Sequence, residues 1–275
     1  MRNLTIYGSS SMAGHILRDY FSAKDNYSVD CKEVSEIFDE NYDIRKELQS
    51  SDSDYIINCI RCLVDESESN PLKAIMYNSY LPRLIEKKYQ KTKTQIIQLS
   101  TDCVFSGLNG DYDESIKPDG STYYARTKIL GEIINNKDIT IRTSYIGPTI
   151  NHDEELFDWF LMQVGQIKGY TNAFWTGITT LELAKGIEQL IELKFTGLYH
   201  MVPNKKISKY QLLLLIKDIW EKNDIIIKKD NLLIIDRSLK DCRKMIKIKN
   251  YEDMFFELLK YMKEKKNLYS KYNLF

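Results

Sequence analysis

The sequence predicts an α/β fold: a Rossmann-type, doubly wound parallel sheet with a smaller C-terminal substrate-binding lobe. Three observations predict it. Short apolar runs of strand length alternate with amphipathic helical stretches through the first two thirds of the chain. The first of these strands runs into a glycine- and serine-rich turn that opens a helix, Gly8-Ser9-Ser10-Ser11-Met12-Ala13-Gly14. After about residue 150 the alternation becomes less regular, as expected where a second lobe takes over.

In order, residues 4–7 read as a strand, 12–22 as a helix, and 27–31 and 55–60 as further strands. A helix at 71–88 leads to a strand at 95–99, and a helix at 124–135 leads to one at 139–143. Helical stretches follow at 155–164, 181–193, 209–220 and 251–264. The pattern predicts a dinucleotide-binding domain at 1–150 plus about 178–196, and a substrate-binding lobe at about 151–177 and 197–275. Open α/β sheets bind ligands at the carboxyl ends of their strands.

Composition narrows the function classes. Lysine plus arginine equals aspartate plus glutamate, 39 each, so no field of one sign is available for nucleic acid or an anionic membrane. No apolar stretch approaches the ~18 residues of a membrane span, and the N-terminus enters a strand without a signal-like leader. Five cysteines, an odd number, argue against a disulfide framework and for a reducing, cytoplasmic setting. Cys59 and Cys62 form a lone CxxC at the end of an apolar run, which reads as core packing, and no metal site is expected. His15, His152 and His200 are scattered and carry no assigned role.

The 8–14 turn has Gly-x-x-Gly-x-x-Gly spacing with Ser11 in place of the middle glycine. Glycines there let the backbone approach a pyrophosphate at a helix N-terminus. Asp30, near the end of the second strand, favours a ribose hydroxyl, whereas Lys32 favours a 2′-phosphate. The two point opposite ways, and the expected cofactor stays NADPH or NADH.

Ser100-Thr101-Asp102 follows the fourth strand, and Tyr124-Ala125-Arg126-Thr127-Lys128 begins the next helix. A four-residue separation puts Tyr124 and Lys128 on one helix face. A tyrosine hydroxyl near pKa ~10 exchanges protons poorly at neutral pH, and a neighbouring ammonium lowers that value. Thr101 supplies a further hydrogen bond to a substrate oxygen.

Three motifs, 100–107 (STDCVFSG), 124–132 (YARTKILGE) and 142–144 (RTS), resemble the dTDP-4-dehydrorhamnose reductase branch of the extended short-chain dehydrogenases. The resemblance runs from residue 1 to about 220. It implies reduction of a 4-keto-6-deoxy sugar on a nucleoside diphosphate, with Tyr124 as proton donor supported by Lys128 and Thr101. It implies a cofactor site of Gly8, Ser11, Met12, Ala13, Gly14, Cys59, Ile60, Arg61, Asn78, Ser100, Tyr124 and Lys128, with Asp43 and Ile44 near the adenine. Substrate contacts are expected from Thr101, Asp102, Cys103, Val104, Phe105, Tyr145 and Trp175. Related enzymes are often dimers, and a homodimer is expected by that analogy.

Cys103 stands where nucleotide-sugar dehydratases carry glutamate, which argues against dehydration. It is similar to the cysteine of reductases that epimerise beside the ketone before reducing it, and Lys168 falls where their basic partner does. A small core cysteine and a surface lysine are the plainer reading. The aromatic segment 170–177, with 156–160, resembles reductases of acetamido-sugar clusters and favours a UDP-linked over a dTDP-linked sugar. Two alternatives stand beside this: a plain reductase without epimerisation, and a non-catalytic NADP-binding subunit.

Overall fold

The computed structural model describes residues 1–33, 52–150, 155–203 and 205–272. In chain order the first elements are β1 (Arg2–Tyr7), α1 (Met12–Ser22), β2 (Tyr27–Lys32), β3 (Tyr55–Asn58), α2 (Val64–Ser69) and α3 (Pro71–Ala74). A π-helical turn (Ile75–Tyr80) then joins α3 to α4 (Leu81–Tyr89), followed by β4 (Gln95–Ser100), α5 (Tyr123–Leu130), β5 (Ile139–Arg142) and β6 (Tyr145–Ile146). Then come α6 (Leu156–Met162), β7 (Gly165–Trp175), β8 (Ile178–Thr179), α7 (Thr180–Glu192) and β9 (Gly197–His200). The chain continues with β10 (Ile207–Ser208), α8 (Lys209–Ile219), β11 (Ile225–Asp236) and α9 (Tyr251–Glu264).

Leu4 to Tyr7 of β1 are all buried, the signature of a strand covered on both faces. The sheet order is β2-β1-β3-β4-β5-β9. Pairings of β1 with β2 and β3, of β3 with β4, and of β4 with β5 are parallel. The expected doubly wound sheet is borne out. The chain steps from β1 outward to β2 and then returns to the other side of β1 for β3. That reversal opens a crevice at the carboxyl ends of β1 and β3. Over the β1, β3 and β4 side, Ala74, Tyr77, Leu81, Ile85 and Tyr89 of the α3–π–α4 helix pack on Tyr7, Ile56 and Ile96.

Two compact units share the chain. The first holds Met1–Ser106, Ser115–Arg142 and Ile191–Tyr199; the second holds Gly107–Glu114, Thr143–Leu190 and His200–Phe275. These bounds set 107–114, 143–150 and 178–190 with the second unit and 197–199 with the first, where the sequence expectation divided the chain otherwise. Residues 143–150 go with the second unit because β6 pairs with β8. Residues 180–190 go there too, where Glu182 accepts from the Lys249 amide and Lys185 pairs with Glu257 at 2.6 Å. The loop 107–114 joins them through Tyr112, whose amide donates to the Ser238 carbonyl at 3.0 Å.

The second unit is built on a three-stranded sheet, β10-β7-β11, in which β7 and β11 run parallel and β10 antiparallel. Phe157, Trp220 and Phe255 meet edge to face at 5.1 and 6.2 Å in its core. Among the described residues no helix is long and apolar enough to cross a membrane.

The helix expected at 124–135 stops at Leu130. Gly131 caps it, and a Cβ there would lie 1.9 Å from the Asn78 carbonyl oxygen. Close packing of α5 on the π turn therefore ends the helix and sets its position.

Candidate functional site

All of the densest chemistry expected from sequence, apart from Tyr145, Lys168 and Trp175, lies in the first unit. The 8–14 turn leaves β1 through Gly8, whose φ of +75° favours glycine. A Cβ on Gly8 would sit 3.1 Å from Ile60 Cγ1 and 3.3 Å from the Cys59 carbonyl carbon, so the turn and the end of β3 are in close contact. A Cβ on Gly14 would stand 2.0 Å from the Gly8 oxygen, with two further backbone atoms at 2.9 Å.

Ser11 explains its own substitution for glycine. Its φ is −66°, which any residue adopts, and it is the N-cap of α1. Its hydroxyl donates to the Gly8 carbonyl at 2.8 Å and accepts from the Gly14 amide at 3.1 Å. The first-turn amides of Met12 and Ala13 have no acceptor within the helix by geometry. A dinucleotide pyrophosphate fits this turn: close-packed glycines, a capped helix N-terminus and a position at the sheet's switch point. Gly14→Ala should therefore open the turn. The expected result is a loss of about 1–3 kcal/mol in stability together with loss of coenzyme affinity, measured by urea denaturation and calorimetry.

Asp30, expected at a ribose hydroxyl, lies on β2. It pairs in register with Thr5, two residues before β2 ends, and its carboxylate meets Lys32 Nζ at 3.0 Å. The acid beside the turn is Glu33, which the sequence reading missed. Its carboxylate accepts from the hydroxyls of Ser9 and Ser10. The signal available was spacing, since Glu33 lies about 20 residues past Gly14. Asp43 and Ile44 lie outside the described residues, as does His152.

The catalytic candidates gather where β4 ends. Ser100, Thr101 and Asp102 are buried there, and Tyr124 and Lys128 are buried on α5. Lys128 is 4 % exposed, and its ammonium donates to the Leu99 carbonyl at 2.7 Å. Burial, reinforced by the positive charge of Arg61, lowers its pKa to about 8. Thr101 Oγ1 donates to Asp102 at 3.2 Å and accepts from the Cys103 amide at 3.1 Å. Cys103 is a half-buried, reduced thiol, while Val104 and Phe105 are fully buried.

Two supports hold α5 in place. Glu68 of α2 accepts from the Tyr124 amide at 3.2 Å, placing a carboxylate at the helix N-terminus. Asn78, on the π turn, accepts from the Cys62 amide at 2.9 Å and donates to Thr127 Oγ1 at 3.3 Å. The Asn78 amide group is thus spent on joining the end of β3 to α5. Under β4, Ser100 Oγ donates to Glu132 at 2.7 Å, and Arg142 grips the same carboxylate at 2.7 and 2.8 Å.

Cys59 and Cys62 are both buried, and burial raises their thiols to about 12 and about 11, so both stay protonated. Among the described residues no cluster could hold a metal ion.

In the second unit, Lys168 lies on β7, its side chain is 70 % exposed, and its ammonium stands 3.5 Å from Asp230 on β11. Tyr145 is half-buried in β6. Trp175 is packed rather than displayed. It is 3 % exposed, stacks on Tyr251 at 6.1 Å and carries the Lys209 ammonium 4.6 Å from its ring centre. The aromatic pattern of 170–177 has β-strand form, so alternate residues turn inward, and Trp175 is one of the inward set.

A dTDP-4-dehydrorhamnose reductase of Mycolicibacterium smegmatis is 28 % identical over 135 residues, 48 % of this chain and 40 % of that protein. The chain thus spans about two fifths of the length of that curated relative. A dTDP-4-dehydrorhamnose reductase of Clostridium acetobutylicum has a structure that superposes with a TM-score of 0.80 at 18 % identity, covering 95 % of this chain and 99 % of that one. A dTDP-4-dehydrorhamnose reductase of Bacillus anthracis, solved in complex with NADP, gives 0.78 at 17 % identity with the same coverage of 95 % and 99 %. At those identities the two structures speak for the fold. The model of one family, the RmlD substrate binding domain, matches residues 1–229, and the chain belongs to that family.

Proposed function

We propose that the chain is a nicotinamide-dinucleotide-dependent reductase of a nucleotide-linked 4-keto-6-deoxy sugar. The observation that carries this is the buried ammonium of Lys128, held at the end of β4 beside Thr101 on the helix that bears Tyr124. A cation this thoroughly buried without a carboxylate bonded to it is costly, and such groups concentrate at functional sites. A non-catalytic cofactor-binding subunit has no use for it.

A reduced dinucleotide, its pyrophosphate held by the 8–14 turn, would supply the hydride for the ketone carbon. The carbonyl electron pair moves onto oxygen, and Tyr124 gives that oxygen its phenolic proton. Lys128 stabilises the phenolate left behind, and the Thr101 hydroxyl, turned from Asp102 toward the bound sugar, donates to the former ketone oxygen. For the sugar, the named reductases support a dTDP-linked 4-keto sugar, while the segment 170–177 supports a UDP-linked 2-acetamido-2,6-dideoxy-hexos-4-ulose. Incubating the chain with each, and following oxidation of the reduced dinucleotide by its absorbance, decides between them. No oxidation with either sugar sinks the reading.

A C3 epimerisation before reduction is the second reading, favoured by the accessible thiol Cys103 directly after Thr101. A thiolate removes the acidic hydrogen beside the ketone, and a protonated base returns one to the other face. In deuterated water the product should carry deuterium at C3. Cys103→Ala should abolish that label, and loss in Lys168→Met would identify the second proton carrier. An unlabelled product leaves a plain reductase.

A further inference from the structure

The amino ends of the first unit's strands carry a cleft of their own. It holds about 470 Å³ and opens where β1, β3, β4, β5 and β9 begin. That volume is in the range of small-molecule sites. β4 runs six residues from Gln95, on the cleft, to Ser100 at the catalytic end. At strand geometry this is about 17–20 Å, so the two places are separate.

Four cations line the cleft, Arg2, Lys93, Lys137 and Lys194, against one carboxylate, Asp54. The surplus is three positive charges, or two once Glu192, which acts on Arg2, is counted. The walls are already tied. Lys137 Nζ donates to the carbonyls of Tyr89 and Thr94 at 2.8 and 2.7 Å. Gln95 Nε2 donates to those of Lys137 and Phe195, both at 2.8 Å. Arg2 donates to the Tyr27 hydroxyl at 3.0 Å, and Asp54 accepts from the Asn3 amide at 2.8 Å. Lys93 and Lys194 differ. Both are exposed, and among the described residues neither ammonium has an ion-pair partner.

We propose that this cleft is a second ligand site, separate from the 8–14 turn, that takes a phosphorylated small molecule. A phosphate group carries about −1.5 to −2 charges and matches the surplus, whereas a carboxylate brings one. Its oxygens accept hydrogen bonds, and an ammonium offers three donors and no acceptor. Lys93 and Lys194 can turn to it without breaking an ion pair. The bonds of Lys137 and Gln95 hold the walls beforehand, so little is lost in ordering them on binding.

The test is calorimetric binding of inorganic pyrophosphate to the full chain at low salt. The parent is compared with the double variant Lys93→Gln, Lys194→Gly. The φ of Lys194 is +51°, so glycine removes the charge without straining the backbone. Pyrophosphate held at the 8–14 turn is common to both proteins, and the difference between them reports the cleft. One site per chain should weaken by about tenfold or more in the double variant, and the difference should shrink as salt screens it. Lys260→Gln with Lys263→Gln, which removes two exposed cations of α9, should bind as the parent does. Uridine diphosphate, read as the same difference, identifies the source of the phosphate. Tighter binding than pyrophosphate assigns a nucleotide, and equal or weaker binding assigns the phosphates alone. No binding to the parent, a double variant equal to the parent, or an equal loss in the α9 variant overturns the site and leaves the reductase reading standing.

Discussion

Tyr124→Phe should lower turnover of the 4-keto sugar by about 10²–10⁴-fold, the usual contribution of a positioned acid, while coenzyme affinity stays unchanged. The ring packs at a buried position of α5, so phenylalanine fills the same space and only the hydroxyl is lost. Steady-state kinetics paired with calorimetry separates the two effects. Unchanged turnover would remove Tyr124 from the chemistry. The same step carries a pH dependence. Lys128 is positively charged below about 8 and loses that charge above it. In the proposed role that charge stabilises the phenolate formed as the proton leaves, so kcat/KM should fall as pH rises through about 8. A profile flat through that region would mean that the ammonium does not serve the tyrosine.

Glu132→Ala should cost about 3–5 kcal/mol of stability, the penalty for leaving a buried charge without its partner. Both partners of the Glu132–Arg142 pair are almost fully buried, at 4 % and 3 % side-chain exposure, with Nε to Oε1 at 2.7 Å. The Arg142 guanidinium also lies 5.3 Å from the centre of the Phe105 ring, an apolar neighbour that cannot replace the carboxylate. Urea denaturation reads the loss. Replacing both residues by methionine should recover most of it, because apolar side chains of similar volume substitute for such a pair at little cost. A single variant as stable as the parent would contradict the buried geometry. Ser100 also loses an acceptor in Glu132→Ala, which loosens the strand end that leads into Thr101.

Most strands and helices of the first unit were legible from their apolar periods, but α2 and β9 were not read and α5 ends five residues before the expected limit. The helix 12–22 and the helix 251–264 match the expected limits, since each begins at a side-chain cap, Ser11 and Asn250. The two long strands β7 and β11 were not read. β7 alternates buried and exposed residues imperfectly, and β11 leaves Ile226, Leu232 and Ile234 exposed, so neither shows a clean period of two. In the site, the turn, the tyrosine–lysine pair and Thr101 were visible because each is a local pattern with a fixed chemical meaning. Glu33 was not, because Asp30 lies nearby and spacing alone cannot say which acid stands at the strand end. Trp175 was expected as a substrate contact, and sequence alone does not distinguish a packed aromatic residue from a displayed one.

By itself, the sequence determined the fold class, the phosphate turn and the residues available for proton transfer, since these depend on periodicity and on spacing along one helix or one turn. Only the tertiary structure decided which acid meets the turn, that Asn78 is spent on α5, that Lys128 is buried deeply enough to sit near pKa 8, and that Trp175 is packed inside its unit. The physical reason is common to all four. Burial, electrostatic surroundings and strand register arise from residues far apart in the chain, and a linear pattern carries no record of them.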